Sequence, residues 1–292
     1  MELIKRVPML FLIFVLTLLY ACRPANGSPG NANPSDDRQS TNEEALIHPE
    51  GKTIRERFRV PQGYQRVEPE KHSFAEFLQQ LPLKPQDAKV YYYDGKEKTN
   101  TVYLAVVDYS LGDRDLQQCA DSVIRLRAEY LYEQKRFDEI QFHFVSGFNA
   151  IFSKWAEGYG ISVQGNTVSW VRNSNNNGSY KSFQKYLDIV YAYASTLSLD
   201  KELVRKDIAE LAIGDVFIKG GSPGHCVIVA DMAMREETGE TIFLLAQGYM
   251  PAQDIQILKG DEDNSPWYSS NIETNLYTPE YVFGLDQLKT WP

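Results

Sequence analysis

The sequence predicts an α+β fold in which helices come first and an antiparallel sheet follows. Two segments, 115–131 and 180–199, carry apolar residues at helical spacing. From Gly214 onward, short apolar runs separated by turn residues predict successive strands. The 292 residues are 43% hydrophobic and 24% charged, which is ordinary for a folded globular domain. Together these observations predict helices packed on a sheet.

The N-terminus has the pattern of a secretory signal. Lys5 and Arg6 precede the apolar run 9–20, which is too short to span a bilayer. The run ends in Leu19-Tyr20-Ala21-Cys22, which resembles the bacterial lipobox. We therefore expect a signal peptide over residues 1–21, acylation (palmitate) of Cys22, and attachment to a bacterial membrane through a lipid anchor. The alternative is a plain signal peptide with a chance cysteine.

Residues 22–52 are rich in Pro, Asn, Gly and Ser, which predicts a flexible tether. A single α+β domain is expected over residues 53–292. Its first half is predicted to hold an edge strand and turn at 55–67, a short helix at 72–81, and strands at 90–93 and 101–107.

A long helix is expected to begin near Asp115, because Asp115 and Gln118 have the spacing of a capping box. A strand at 140–145 follows. Helices at 148–157 and 180–199, with a strand at 168–171 between them, lie within a predicted helical insertion covering about 148–212. The last predicted elements are the strands of the sheet, at 215–219, 225–233, 241–247 and 254–258.

Cys119 lies in the first turn of the predicted long helix. Free backbone N–H groups and the positive end of the helix dipole favour a thiolate there. Cys119 is therefore a candidate catalytic nucleophile, and the neighbouring N–H groups could stabilise an oxyanion. The alternative is a small buried cysteine that only fills the core.

Two further residues are candidates for the same site. His225 opens a predicted strand after the glycine-rich turn 220–224, where it can act as a general base. Gln247 is the first polar residue after an apolar run on the next strand, where its amide could hold the imidazole in one tautomer. The alternatives are a solvated turn histidine and a strand-end glutamine that faces water.

Cys119 and Cys226 remain as a pair in an oxidising compartment, where a structural disulfide is the default interpretation. Period-two alternation places His225, Val227 and Val229 on one face and Cys226 and Ile228 on the other. We therefore expect that His225 and Cys226 cannot both reach Cys119, so a Cys119–Cys226 disulfide would exclude a Cys119–His225 dyad.

The order of these motifs resembles the papain-like cysteine-peptidase superfamily, and within it the NlpC/P60 and CHAP amidases of bacterial cell walls. The matching segments are Gly214-Asp215-Val216-Phe217 and Gly224-His225-Cys226-Val227. The resemblance implies a papain-like (NlpC/P60-like) core and an amidase or peptidase that acts on cell-wall peptides. The sequence around Cys119 departs from it, since Gln118-Cys119-Ala120 stands where that family has Asp-Cys-Ser.

Residues 55–292 also resemble an uncharacterised family of bacterial lipoproteins, domain of unknown function 4846. The segments that carry this resemblance are 115–121, 125–130 and 244–253. This resemblance implies a compartment in the cell envelope, on the periplasmic face or outer surface, and no established activity.

Other chemistries are not expected. The formal net charge of −9 argues against a nucleic-acid partner. The four histidines are scattered without metal-ligand spacing, so neither a metal nor another cofactor is predicted. Ser222 fits a nucleophile-elbow pattern, but Pro223 lacks the N–H that an elbow requires. Two hypotheses remain: a membrane-anchored thiol hydrolase, and a non-catalytic envelope binding or scaffold module.

Overall fold

The computed structural model describes residues 45–262 and 265–292. The predicted signal peptide (1–21), the lipidation site Cys22 and the tether up to residue 44 lie outside these ranges. Within them, no helix combines the length and the apolar composition needed to cross a bilayer.

Short elements make up most of the structure. The helices are α1 Ile54–Arg57, α2 Phe74–Gln79, α3 Cys119–Glu133, α4 Phe152–Ala156, α5 Tyr180–Tyr193 and α6 Thr196–Glu202. The strands are β1 Gln65–Arg66, β2 Tyr103–Val106, β3 Gln141–His143, β4 Asn149–Ile151, β5 Tyr159–Gln164, β6 Thr167–Arg172, β7 Val204–Arg205, β8 Val216–Lys219, β9 His225–Met234, β10 Thr241–Gln247, β11 Gln256–Leu258, β12 Tyr268–Ser269, β13 Asn275–Tyr277, β14 Val282–Gly284 and β15 Leu288–Thr290.

Nine strands form one antiparallel sheet. Seven of them follow the order β2-β11-β10-β9-β8-β15-β7, while β1 pairs with β9 and β12 pairs with β10. Strands β8 to β11 are neighbours in the order of the chain, as expected from the strand patterns after Gly214. The predicted mixture of helices and an antiparallel sheet is confirmed.

The sheet is buried on both faces, and β9 runs through its centre. Cys226 and Ile228 belong to the apolar core that includes the helices α2 and α3. Val227 and Val229 belong to a second apolar core, which also contains Phe283 of β14. The alternation of β9 is therefore confirmed, and it fixes which of its side chains face α3.

The folded domain, predicted to begin at residue 53, includes several residues before it. Arg59 N–H donates to Leu46 O at 2.8 Å, and the buried Arg57 side chain donates to Gly51 O at 2.8 Å. Residues 46–52, assigned to the tether from their composition, thus pair with the domain. The edge strand predicted at 55–67 is wrong over its first part, because Thr53 caps helix α1 by accepting from Glu56 N–H.

The strand predicted at 168–171 is confirmed as part of β6, which forms a hairpin with β5. The segment 148–212 also contains the strand β4, which pairs with β3. The helix predicted over 180–199 is divided in two: α5 ends at Tyr193, and the Ser195 side chain caps α6 by accepting from Leu197 N–H at 3.1 Å. Residues 90–93 form only isolated bridges, not a strand.

Helix α3 begins at Cys119, four residues after the predicted start. Asp115 does not cap it, because Asp115 Oδ1 accepts from Ala252 N–H at 2.7 Å and from Gln118 Nε2 at 3.0 Å. The cap is provided one turn later, where Gln118 N–H donates to Asp121 Oδ2 at 3.1 Å. Cys119 is therefore the first residue of the helix.

A buried carboxyl in β9 makes stability depend on pH. Asp231 is fully buried, 3.4 Å from Arg66 Nε, and burial raises its pKa from 3.8 to about 6. The folded state therefore binds this proton more tightly than the unfolded state. The resulting stabilisation, roughly 2–3 kcal/mol, is present below about pH 4 and is lost as the pH rises through about 6.

We expect the free energy of unfolding, measured with urea at a series of pH values, to decline over this range. The decline should be smaller in an Asp231→Asn variant, because an amide does not titrate. An equal decline in both proteins would contradict the assignment to Asp231.

Candidate active site at the start of helix α3

Cys119 occupies the position in α3 where backbone N–H groups are free. Its own N–H has no hydrogen-bond acceptor among the described residues, because the helix does not extend back to the residue four positions earlier, whose carbonyl would accept. The side chain is only 8% exposed. An anion that forms next to Cys119 would thus meet an unused donor and the positive end of the helix dipole.

The surroundings of Cys119 favour its thiolate. A hydrogen bond with the Cys226 side chain is the largest influence that lowers the pKa of Cys119. A hydrogen bond with His225, the charge of that imidazole and the Ala120 N–H act in the same direction, while burial opposes them. The net effect holds the pKa of the Cys119 thiol well below its ordinary value.

The surroundings of the acid and the thiol beside Cys119 favour their neutral forms. Burial raises the pKa of Cys226 well above its ordinary value, and hydrogen bonding to Cys119 adds to this. Burial likewise raises the pKa of Asp121, with the charge of Cys119 acting in the same direction. Of the three groups, Cys119 is therefore the one whose surroundings favour loss of its proton.

His225 is the first residue of β9 and is 2% exposed. Its ring is enclosed by three aromatic rings, with centroid distances of 4.7 Å to Tyr249, 5.2 Å to Tyr281 and 5.9 Å to Phe283. The preceding Gly224 has no room for a Cβ atom, which would overlap Gly221 O and Thr196 Oγ1. Glycine is thus required for the chain to bring His225 into this position.

Gln247 ends β10 on the same face of the sheet as Val227. Its Oε1 lies 2.8 Å from His225 Nε2. Its Nε2 donates to Glu280 Oε2 at 2.6 Å. The pairing of β9 with β10 accounts for this geometry, because Leu245 lies opposite Val229 and Ala246 opposite Ile228. The structure therefore brings together Cys119, His225 and Gln247, the three residues selected from the sequence.

Gly248 brings α3 against the end of β10. A Cβ atom there would overlap Ser122 Oγ and lie 3.0 Å from Gln118 O. The helix N-terminus consequently rests on the end of the sheet at which His225 and Gln247 are found.

The sequence leaves open whether Cys119 and Cys226 form a disulfide, and in the structure both are free thiols. His225 and Cys226 both contribute to lowering the pKa of Cys119, so both side chains lie near it, contrary to the expectation that only one of them can reach it. Alternation separates side chains along a continuous strand, but His225 is the terminal residue of β9. Cys119 begins α3, which contacts β9, and the regular alternation of β9 no longer applies beyond its first residue.

Several residues of the site are not predicted from the sequence. Lys98 and Glu280 form an ion pair behind Gln247, with 2.7 Å between Lys98 Nζ and Glu280 Oε2. Tyr249 and Tyr281 flank His225, and the charge of Cys119 contributes, after burial, to raising the pKa of each. Tyr249 could be predicted from the sequence, because it is only two residues from Gln247. Nothing in the sequence near Lys98 or Glu280 indicates that they belong to the site.

In residues 45–262 and 265–292, no group of three or more His, Cys, Asp or Glu side chains could hold a metal ion.

Comparisons with known proteins give a family but no activity. A family described as "Domain of unknown function (4846)" matches residues 54–290. No match was found among curated proteins or among solved structures.

Proposed function

The chain belongs to the family described as domain of unknown function 4846, and we propose that it is a thiol hydrolase or amidase with Cys119 as nucleophile. His225 serves as the base and then the acid, and Gln247 orients His225. This arrangement corresponds to a papain-like core, which we propose as the finer description of the α+β fold. The proposal rests above all on the hydrogen bond of 2.8 Å between His225 Nε2 and Gln247 Oε1 beside a cysteine at a helix start.

The proposed reaction has two halves. In the first, His225 accepts the thiol proton, and the Cys119 sulfur attacks the carbonyl carbon of an amide. The oxyanion of the tetrahedral intermediate lies near the free Cys119 N–H. The intermediate collapses as the C–N bond breaks, and His225 gives its proton to the leaving amine. A thioester between Cys119 and the acyl group remains.

In the second half, His225 takes a proton from water, whose oxygen attacks the thioester. The C–S bond breaks, the carboxylic acid leaves, and the proton returns to Cys119. If an amine replaced the water, the same steps would transfer the acyl group to a new amide.

The proposed substrate is a peptide of the bacterial cell wall, and the proposed location is the cell envelope. The substrate class is supported by the resemblance of the 214–217 and 224–227 segments to cell-wall amidases. The location is supported by the signal pattern and by the lipobox-like sequence that ends in Cys22. Acylation of Cys22 would keep the enzyme at the membrane without a spanning helix.

The first test measures how fast Cys119 reacts with iodoacetamide at different pH values, read by mass spectrometry of the peptide that contains Cys119. We expect an apparent pKa well below roughly 8.5, the value of a free thiol. In His225→Ala that pKa should rise and the rate at about pH 6 should fall, because the imidazole no longer stabilises the thiolate.

His143→Ala is the matched control, because His143 lies on β3 and pairs with Glu202 instead of the site. It should behave as the unmodified protein does. Identical pH profiles for the unmodified protein and His225→Ala would contradict the proposed pair.

One observation favours a second candidate, a non-catalytic binding or scaffold module of the envelope. Cys119 is only 8% exposed and contacts a second thiol, as structural core cysteines do. This candidate predicts that Cys119 in the folded protein reacts more slowly than a free thiol at every pH, with or without His225.

A further inference from the structure

A chain of polar side chains continues behind Gln247, away from Cys119. Glu280 Oε2 accepts from Gln247 Nε2 at 2.6 Å and from Lys98 Nζ at 2.7 Å. Its other oxygen, Oε1, accepts from Asn100 Nδ2 at 3.3 Å. Lys98 is 2% exposed and the Glu280 side chain 12%, so water screens this ion pair little.

The ion pair decides which way the Gln247 amide points. An ionised carboxylate has only acceptors, so the group of Gln247 that faces Glu280 must be its NH₂. The carbonyl oxygen of the amide then faces His225 and can only accept. His225 Nε2 must therefore carry a proton, and in the neutral ring Nδ1 is left as the acceptor.

We propose that Glu280, held in place by Lys98, is a positioning residue that acts through Gln247 to keep the neutral His225 ring protonated on Nε2. Nδ1 is then the nitrogen that takes the Cys119 proton; this last clause rests on the proposed function. Without an acceptor at position 280, the Gln247 amide could rotate and present its NH₂ to His225. The imidazole would then favour the other tautomer, whose protonated Nδ1 cannot accept.

The burial of Lys98 agrees with this role. Burial lowers the pKa of Lys98, and its hydrogen bond and attraction to Glu280 counteract the effect. A buried ammonium that lost its partner would be destabilising, so a variant at Glu280 alone would confuse positioning with an unpaired charge. The informative variant replaces both residues.

The test compares Lys98→Met/Glu280→Met (the double variant) with Lys98→Met/Glu280→Gln (the amide variant), using ¹⁵N chemical shifts of the His225 ring. All proteins carry Cys119→Ala and are measured at about pH 8 to 9, above the ordinary histidine pKa of roughly 6.5, so that no thiolate keeps the ring in its imidazolium form. With Lys98 and Glu280 in place, the ring should show the Nε2–H tautomer. The double variant should show a mixture of tautomers or the Nδ1–H form, because nothing fixes the amide. The amide variant should retain the Nε2–H form, since the carbonyl oxygen at position 280 still accepts from Gln247.

Cys119 alkylation gives the second readout. In the double variant the rate at about pH 6 should fall on the order of 10- to 100-fold, as expected when a reacting group is misplaced. The amide variant, Lys98→Met/Glu280→Gln, should stay close to the unmodified protein. Lys206→Met/Asp215→Asn is the control. It removes an ion pair at the other end of β8, with 2.8 Å between Lys206 Nζ and Asp215 Oδ2, and so shows the effect of losing a lysine–acid pair away from the site.

The outcomes separate this inference from the proposed function. An Nε2–H tautomer in the double variant would overturn the positioning role, whatever the reactivity of Cys119. A tautomer change in the double variant, combined with alkylation that does not depend on His225, would support the positioning role and contradict the proposed hydrolase.

Discussion

A Gly248→Ala variant is expected to lose both stability and Cys119 reactivity. The added Cβ would overlap Ser122 Oγ and would lie 2.9 Å from Ser122 Cβ and 3.0 Å from Gln118 O. Two of these atoms belong to the backbone-anchored first turn of α3, so rotation of one flexible side chain cannot relieve the overlap. The helix start must move away from the sheet, at a cost of roughly 1–3 kcal/mol or more.

The movement should also affect chemistry, because Cys119 lies in the same turn as Ser122. We expect urea unfolding to show the lower stability and iodoacetamide labelling at about pH 6 to show slower alkylation of Cys119. Ser122→Ala/Gly248→Ala should recover only part of the stability, since it removes Oγ but leaves Ser122 Cβ and Gln118 O in place.

Gly160→Ala is the matched control on strand β5. Its Cβ would meet Asn173 Cβ and Nδ2 at 3.4 Å, at the limit of ordinary van der Waals contact. We expect this variant to cost less than about 1 kcal/mol. If Gly248→Ala were no more destabilising than Gly160→Ala, the close approach of α3 to β10 would not constrain the site.

Local patterns were sufficient for the strands and for the first members of the site. The apolar runs of β8, β9 and β10 are bounded by glycine and polar residues, so their positions and the two faces of β9 follow from period two. Cys119, His225 and Gln247 each stand at an end of a predicted element. Ends of elements are where side chains leave the regular packing, which is why chemistry-bearing residues there could be selected.

Distant contacts were not predictable in this way. Lys98 and Glu280 are 182 positions apart, and neither belongs to a helix or a strand. Their contact with Gln247 depends on the fold, which brings the loop before β14 next to the end of β10. Asp115 is a second example. Its spacing to Gln118 predicts a helix cap, but Asp115 Oδ1 instead accepts a hydrogen bond from the N–H of Ala252, which is 137 positions away.

Helix α1 was misassigned for a related reason. The β-like pattern and turn residues in 55–67 predict an extended edge. The Arg57 side chain, however, is buried, and its guanidinium donates hydrogen bonds to Gly51 O and Lys84 O. A buried arginine with carbonyl partners from two other segments cannot be foreseen from local hydropathy.

Mild oxidation is expected to join Cys119 to Cys226 and to abolish alkylation of Cys119. The thiolate of Cys119 attacks hydrogen peroxide, giving a sulfenic acid and, after protonation, water. The Cys226 sulfur then displaces the sulfenic hydroxyl as a second water, and a disulfide forms. Because Cys226 is the largest influence that lowers the pKa of Cys119, the two side chains are neighbours, and Cys226 is within reach of this intermediate. The proposed nucleophile would thus be reversibly blocked.

Two variants and the unmodified protein are compared by intact-protein mass after peroxide treatment. The unmodified protein should lose two hydrogens and recover on addition of dithiothreitol. Cys226→Ser should instead gain oxygen atoms irreversibly, because no thiol resolves the sulfenic acid. Cys119→Ser should stay nearly unchanged, since burial raises the pKa of Cys226 and suppresses its thiolate.

Oxygen gain by the unmodified protein, at the rate seen in Cys226→Ser, would contradict the contact between the two thiols. It would leave the pair of Cys119 and His225 untouched, because the alkylation profile of His225→Ala tests that pair separately. A reversible disulfide would have a consequence for the proposed enzyme in an oxidising compartment. The active form would then require a reductant for Cys119, and its activity on amides should rise on addition of dithiothreitol.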